Sequence, residues 1–398
     1  MAGLTLPGAA WRQREGLDTL LGALGAEAGL ARYVGGAVRD TLVGFAVKDV
    51  DIATPIAPVA VIDRLRRAQI KAVPTGIAHG TVTAVLPDGP IEITTLRRDV
   101  STDGRRATVA FSDDWKEDAA RRDFTINALY ADPLDGEIFD YFGGEGDLQA
   151  GRVRFIGDPL IRIAEDHLRI LRFFRFHARF GKGDPDVAAI TACRTRARDL
   201  MALSRERIAD ELFKILALPD PAPTVALMLD SGILAPVIPE IDMAGLDRLG
   251  ELIGRERELD AAPDPVRRFA ALSPPVSADG VAARLKLSNA QRRRIAIAIA
   301  PQPDGPGEAL YRFGHQGALD RILVSGSAED WRSIRDEDRP VLPISGGALV
   351  ERGLSAGPRV AEALRTVERR WIDEGFPDSV RVDAIADEVV AQLLRESR

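Results

Sequence analysis

The apolar residues of this chain change their period once. Up to about residue 150 they come in short β-type runs punctuated by Gly and Pro. Arg32–Val34 leads into Gly35-Gly36 and a helical stretch from Ala37; Asp49–Ala53 reads as a short strand. Thr81–Leu86 and Ile91–Leu96 are β-rich runs joined by Pro87-Asp88-Gly89-Pro90, a hairpin signal, because Pro presets φ and Gly supplies the turn. After Pro159 the spacing becomes helical, over Ile161–Phe180, Ile208–Leu216, Thr224–Leu229 and on through the rest of the chain. Pro219–Pro223 and Ala261–Pro265 read as connections, and residues 301–307, Pro-Gln-Pro-Asp-Gly-Pro-Gly, as the clearest linker. The polar segment Arg97–Arg106 reads as a loop. The pattern predicts the α+β class: a small mixed α/β head followed by an all-helical remainder.

Composition narrows the classes. With 398 residues, 45% of them hydrophobic and 28% charged, the chain has the balance of an ordinary globular protein. Aromatics are only 6%, so its cores rest on aliphatic side chains. No run approaches the ~20 apolar residues of a membrane span. Met1 to Arg14 lacks the layout of a secretory signal. A single cysteine, Cys193, makes neither an intramolecular disulfide nor a zinc site, which fits a reducing cytoplasm. His79, His167, His177 and His315 are scattered, leaving carboxylates as the metal-ligand candidates.

Charge is unevenly spread. The whole chain carries −7, which argues against indiscriminate nucleic-acid binding. Between Gly151 and Lys182, however, eight basic residues face three acidic ones, while the segment from Pro301 to the end carries 13 basic and 18 acidic residues. One concentrated basic element in an acidic chain suggests a focused anion site; a solvated helix face is the plainer reading.

Candidate chemistry begins at Val34-Gly35-Gly36-Ala37-Val38-Arg39-Asp40, followed by Lys48-Asp49-Val50-Asp51-Ile52. Residues two apart on a strand share a face, so Asp49 and Asp51 would project together. Adjacent carboxylates repel unless a cation neutralises them, and hard oxygen ligands favour Mg²⁺. A glycine turn before a helix lets a phosphate approach free backbone N–H groups, with Arg39 in the first turn. Neither the P-loop nor the dinucleotide fingerprint is present. A second block, Arg121-Arg122-Asp123-Phe124-Thr125-Ile126-Asn127-Ala128-Leu129, follows a charged stretch. In a third, Asp158-Pro159 starts a helical pattern in which Asp166, Arg169, Arg172 and Arg175 recur every third residue and wind slowly around one side. Ile163, Ile170, Leu171, Phe174 and Ala178 can pack on the other. A carboxylate beside guanidinium groups can meet the donors and acceptors of a base edge; a salt-bridged surface helix is the alternative.

Together these blocks resemble the signatures of the polymerase-β-type nucleotidyltransferases, more narrowly those of class II tRNA CCA-adding enzymes and bacterial poly(A) polymerases. The resemblance is specific over roughly Tyr33–Leu212. It implies that Asp49 and Asp51 hold two Mg²⁺ ions, with Glu92 where a third catalytic carboxylate could lie, although an exposed strand glutamate reads nearly as well. It implies that Gly35, Gly36 and Arg39 cradle phosphates, that Arg122 and Asp123 meet ribose and phosphates, and that Asp166 and Arg169 read the base. Arg172 and Arg175 follow as triphosphate or base contacts, while Glu165 orients its neighbours. Ser204-Arg205-Glu206-Arg207-Ile208-Ala209-Asp210-Glu211-Leu212 resembles the element bracing the base-reading helix, with Ser204 at a helix start.

Further on, Arg284, Lys286, Arg292, Arg293 and Arg294 cluster around a Ser288 cap, consistent with RNA phosphate contacts or with a solvated face. The expected division is a head over 1–153, a neck over 154–220, a body over 221–300 and a tail over 301–398. The expected activity is addition of CCA to tRNA 3′ ends from CTP and ATP, with no membrane and no protein partner required. Poly(A) synthesis, or addition of only the two Cs or only the A, are the alternatives; the acidic tail favours CCA addition.

Overall fold

The computed structural model describes residues 5–103, 106–300 and 305–396. The chain divides into two compact units, Met1–Pro239 and Glu240–Arg398.

The first unit is built on nine strands: β1 (Arg32–Val34), β2 (Asp51–Thr54), β3 (Lys71–Gly76), β4 (Thr81–Leu86), β5 (Gly89–Thr95), β6 (Arg97–Asp103), β7 (Arg106–Phe111), β8 (Leu129–Ala131) and β9 (Ile138–Asp140). Seven form one sheet in the order β3-β4-β5-β2-β1-β8-β9. The hairpin expected around Pro87 is β4–β5. One pairing is parallel, β2 on β5, and its register sets Asp51 opposite Glu92. Parallel neighbours need a crossover, and the helix Pro58–Arg67 with β3 and β4 supplies it. Val34, Ala53, Leu96, Ala128 and Tyr130 form one buried cluster under the sheet.

Three expectations change. Asp49 lies outside the strand, which starts at Asp51 and runs to Thr54. Of the segment read as a loop, Arg97–Asp103 is β6 and Arg106 opens β7, and the two strands pair antiparallel as a separate two-stranded sheet; residues 104–105 lie outside the described residues. The helix predicted over Ile161–Phe180 breaks into Pro159–Glu165 and Arg169–Phe180. Asp166 causes the break. Its backbone is extended (φ −149°, ψ 107°), its Oδ1 accepts from Leu168 N at 3.1 Å, and its carbonyl accepts from Arg169 N at 3.0 Å. The carboxylate thereby satisfies one backbone donor at the start of the next helix. Pro159 begins the first piece as the sequence indicated, and Asp158 caps it.

The second piece, the arginine helix, buries Ile170, Leu171, Phe173, Phe174, Phe176 and Phe180. Phe124 of the second motif packs among these rings, 5.3 Å from Phe176 and 4.7 Å from Phe155. The helix Arg205–Leu216 starts after Ser204, although the serine side chain makes no cap hydrogen bond.

The regular elements of the second unit are all helices among its described residues. Arg267 and Arg268, both buried, share the carboxylate of Glu256. Arg294 donates from Nε to Asp320 Oδ2 at 2.8 Å and from Nη2 to Asp264 at 2.9 Å. Ser288 does cap the helix Asn289–Ile299, in a capping box with Gln291. Of the linker read at 301–307, residues 301–304 lie outside the described residues; a helix runs over Pro306–Ser325, kinked at Gly314. Among the described residues no helix is long and apolar enough to cross a membrane.

Candidate active site

A cleft of about 1030 Å³ opens in the first unit, and every residue expected from the sequence to bind nucleotide lines it. Its walls carry ten basic and six acidic side chains. The acidic chain thus concentrates positive charge at one place, as the charge distribution indicated.

The floor is acidic. Parallel pairing of β2 with β5 sets Asp51 beside Glu92, and Asp49 faces the same cleft from the preceding segment. Burial is the main reason that the Asp51 carboxyl is pushed up to about 6; Glu92 and Asp49 add to it, against the pull of Arg122. A carboxylate in such company is stabilised by a bound cation. Among the described residues no three or more acidic, histidine or cysteine side chains close into a protein-only metal cage. The donor set suits Mg²⁺, which takes one or two carboxylates and completes its shell with water and substrate phosphates.

Beside the acids lies the glycine turn. Gly35 adopts φ 68°, ψ −121°, and a Cβ there would stand 3.4 Å from Arg122 Nη1 and 3.6 Å from the Asn127 carbonyl. Only glycine sits there without strain. The helix Gly36–Leu42 follows. Arg39 is not a free phosphate ligand: it is 5% exposed. Its Nε and Nη2 donate to Asp40, its Nη1 to Asn127, and its guanidinium lies 4.3 Å from the centre of the Phe180 ring. It braces the wall of the cleft.

Asp123 is saturated. Its Oδ1 accepts from Phe124 N and Asn127 Nδ2, both at 2.9 Å, and its Oδ2 accepts from Arg172 Nε at 2.6 Å. Burial alone would raise this carboxyl, yet Arg172 and Asn127 hold it below the usual carboxylate range. A sugar hydroxyl binding here competes with one of these donors.

Asp166 and Arg169 meet at the helix break. Arg169 donates from Nη1 to Glu165 at 2.5 Å and to the Arg162 carbonyl at 2.9 Å, and from Nη2 to the Arg121 carbonyl at 3.0 Å. Arg162 reaches the Ala120 carbonyl in the same way, at 3.0 Å. Two cations thus satisfy carbonyls at the end of the helix Trp115–Ala120. Glu165 pairs with both Arg162 and Arg169. The Asp166 carboxylate accepts from Arg207 Nη2 at 2.8 Å, which links the helix Arg205–Leu216 to the break. Arg175 donates to the buried Glu211 of the same helix at 2.6 Å.

Sequence reading passed over several members of this wall. Asp40 and Asn127 stood inside the quoted motifs, but nothing in their spacing shows that both grip Arg39. Arg179 reaches Asp40 Oδ2 at 2.8 Å; the run of arginines every third or fourth residue was its only signal.

The expected RNA-contacting cluster lies in the second unit. Arg284 pairs with Glu240 at 2.6 Å and Arg292 with Asp279 at 2.8 Å. Lys286 and Arg293 are exposed. Arg294 differs from the expectation: its Nε and Nη2 are held inside the unit by Asp264 and Asp320.

The chain is similar to known proteins along most of its length. Residues 31–154 match the model of the poly A polymerase head domain, and residues 186–244 that of the probable RNA- and SrmB-binding site of polymerase A. The mitochondrial CCA tRNA nucleotidyltransferase 1 of Mus musculus is 33% identical over 384 residues, covering 91% of this chain and 87% of its own length. The CCA-adding enzyme of Lactobacillus johnsonii is 32% identical, covering 87% and 90%. The crystal structure of the Bacillus stearothermophilus CCA-adding enzyme in complex with CTP superposes with a TM-score of 0.72 at 28% identity, over 91% of this chain and 94% of that one. This chain therefore belongs to the family of CCA-adding tRNA nucleotidyltransferases.

Proposed function

We propose that this protein completes tRNA 3′ ends, adding C, C and A from CTP and ATP without a nucleic-acid template. The observation that carries this is the meeting, in one basic cleft, of the Asp51–Glu92 pair with the Asp166–Arg169 break. The first suits phosphoryl transfer, and the second offers a base edge both an acceptor and a donor.

In the reaction, the terminal 3′ oxygen of the RNA bonds to the α-phosphorus of the triphosphate. The bond between that phosphorus and the α,β-bridging oxygen breaks, and pyrophosphate leaves. Two Mg²⁺ ions held by Asp49 and Asp51, with Glu92 beside them, would supply activation of the 3′ hydroxyl and charge stabilisation on the leaving group. The chain's own groups do the rest. The Gly35 turn admits a phosphate against backbone, and Arg122 and Arg172 present guanidinium groups to the triphosphate. Arg175 and Arg179 add to the positive field of that wall, with Arg39 fixing its position. Asp123 discriminates the sugar by exchanging a protein donor for a hydroxyl. Asp166 and Arg169, immobilised by Arg207, Glu165 and the Arg121 carbonyl, serve as the base-reading template.

We assign 1–153 as head, 154–220 as neck, 221–300 as body and 301–398 as tail. Lys286 and Arg293, with Arg284 and Arg292, are the proposed RNA phosphate contacts, and Arg294 holds their helix in place. A cytoplasmic location fits the lone buried Cys193.

The direct test incubates tRNA lacking its 3′ terminus with the protein, Mg²⁺, and CTP and ATP singly and together, then sequences the products. CC from CTP alone and CCA from both are expected. Long A tracts from ATP alone would instead indicate poly(A) synthesis, and CC or A alone a partial enzyme.

A further inference from the structure

We propose that Asp118 and the hydroxyl of Tyr130 are positioning residues that aim Arg122 into the nucleotide site. Neither belongs to the chemistry assigned above, and the inference rests on the reading that Arg122 meets the incoming triphosphate.

Asp118 lies near the end of the helix Trp115–Ala120 and is 1% exposed. Four donors converge on it. Oδ2 accepts from the Tyr130 hydroxyl at 2.6 Å and from Arg122 Nη2 at 3.2 Å. Oδ1 accepts from Arg121 Nε at 2.9 Å and from the backbone N of Arg97, the first residue of β6, at 3.3 Å. The Tyr130 oxygen in turn accepts from Arg122 Nε at 3.2 Å. The Nε–Nη2 edge of Arg122 is therefore held by two partners. Nη1 is then the nitrogen directed at the glycine turn, 3.4 Å from where a Cβ on Gly35 would be.

Tyr130 is itself fixed. It sits on β8, and its ring packs edge-on to Trp115 at 5.7 Å and to Tyr141 at 6.1 Å. The Arg122 guanidinium lies 5.3 Å from its ring centre. A free arginine loses much rotamer freedom each time it grips a ligand, and one already held loses little. Burial would raise the Asp118 carboxyl, but Arg122, Arg121 and the Tyr130 hydroxyl hold it at about 2. It stays ionised at neutral pH.

The test is steady-state nucleotide addition by the full-length protein carrying Tyr130→Phe or Asp118→Asn, with KM measured separately for CTP, ATP and tRNA. Tyr130→Phe removes only an oxygen, so it reads out even if Asp118→Asn misfolds. The expected result is a rise of about tenfold in KM for both nucleotides with KM for tRNA unchanged. Arg122→Ala should raise the same two constants, and adding Tyr130→Phe to it should change them no further, because the group being aimed is gone. Unchanged nucleotide KM in folded Tyr130→Phe, while Arg122→Ala raises it, would overturn the positioning role alone. Unchanged nucleotide KM in Arg122→Ala would overturn the reading of Arg122 and the inference with it.

Discussion

Two nitrogens of Arg172 converge on one oxygen of Asp123, Nε at 2.6 Å and Nη2 at 2.5 Å. The contact opens a chain of hydrogen bonds. The other Asp123 oxygen takes Asn127, Asn127 takes Arg39, Arg39 grips Asp40, and Asp40 takes Arg179. Arg172 and Arg179 are seven residues apart on one helix, so the arginine helix is tied to the sheet-bearing head at two points about two turns apart.

The two ends of the Asp123–Arg172 pair are not equivalent. The Asp123 side chain is 8% exposed and that of Arg172 31%. Arg172→Ala leaves a carboxylate buried without its cation, whereas Asp123→Ala leaves a guanidinium that can turn to water. Arg172→Ala is therefore expected to cost more stability, by about 1–2 kcal/mol. Urea unfolding of the two variants checks this; equal costs would mean that burial does not set the asymmetry.

Asp166 accepts from Leu168 N at the helix break and, in the function proposed above, reads the base with the same side chain; substitution separates the two. Asn keeps an oxygen that can accept from Leu168 N, so Asp166→Asn should fold within about 0.5 kcal/mol of wild type. It replaces an acceptor by a donor, so discrimination for CTP and ATP over UTP and GTP should fall in a four-nucleotide competition assay. Arg169→Ala should degrade the same discrimination rather than slow all nucleotides equally.

Gly35→Ala places a Cβ in a backbone conformation that side chains avoid, against Arg122. A cost of about 1–3 kcal/mol is expected, with nucleotide addition reduced more than tRNA binding. Thermal unfolding and a filter-binding measurement separate the two effects.

Asp118 sets an acid dependence. Its folded carboxyl lies at about 2, below the ordinary value of about 4 in an unfolded chain. A depressed folded pKa contributes stability that is complete above about pH 4 and lost as pH falls through 2, worth about 2–3 kcal/mol. The stability gap between wild type and Asp118→Asn should therefore shrink as pH falls from 4 to 2. A constant gap in urea titrations across that range would exclude the ionised pair as its source.

Much of the site was legible from residue types and spacing because the motifs are local. The Gly35 turn and the helix Gly36–Leu42 after it stand in the structure where the sequence set them. The parts that were not legible depend on contacts between distant segments. Alternation put Asp49 and Asp51 on one strand, but the strand begins at Asp51, and what gives Asp51 its company is a parallel pairing with Glu92. The three-residue period from Asp166 to Arg175 survives a helix break unchanged, so periodicity did not reveal the extended Asp166 backbone. Polarity made Arg97–Arg106 look like a loop, although a two-stranded ribbon also tolerates polar residues. Arg294 looked like its neighbours until Asp264 and Asp320 turned it inward.

The most direct measurement is the rate of CMP addition by Asp51→Asn to tRNA lacking its 3′ terminus, beside the affinity of the same variant for that tRNA. Asparagine keeps the shape and removes the charge. A loss of about a thousandfold or more in rate, with tRNA affinity within about twofold of wild type, is expected if this carboxylate serves the transfer step. Turnover above about a tenth of wild type would contradict it.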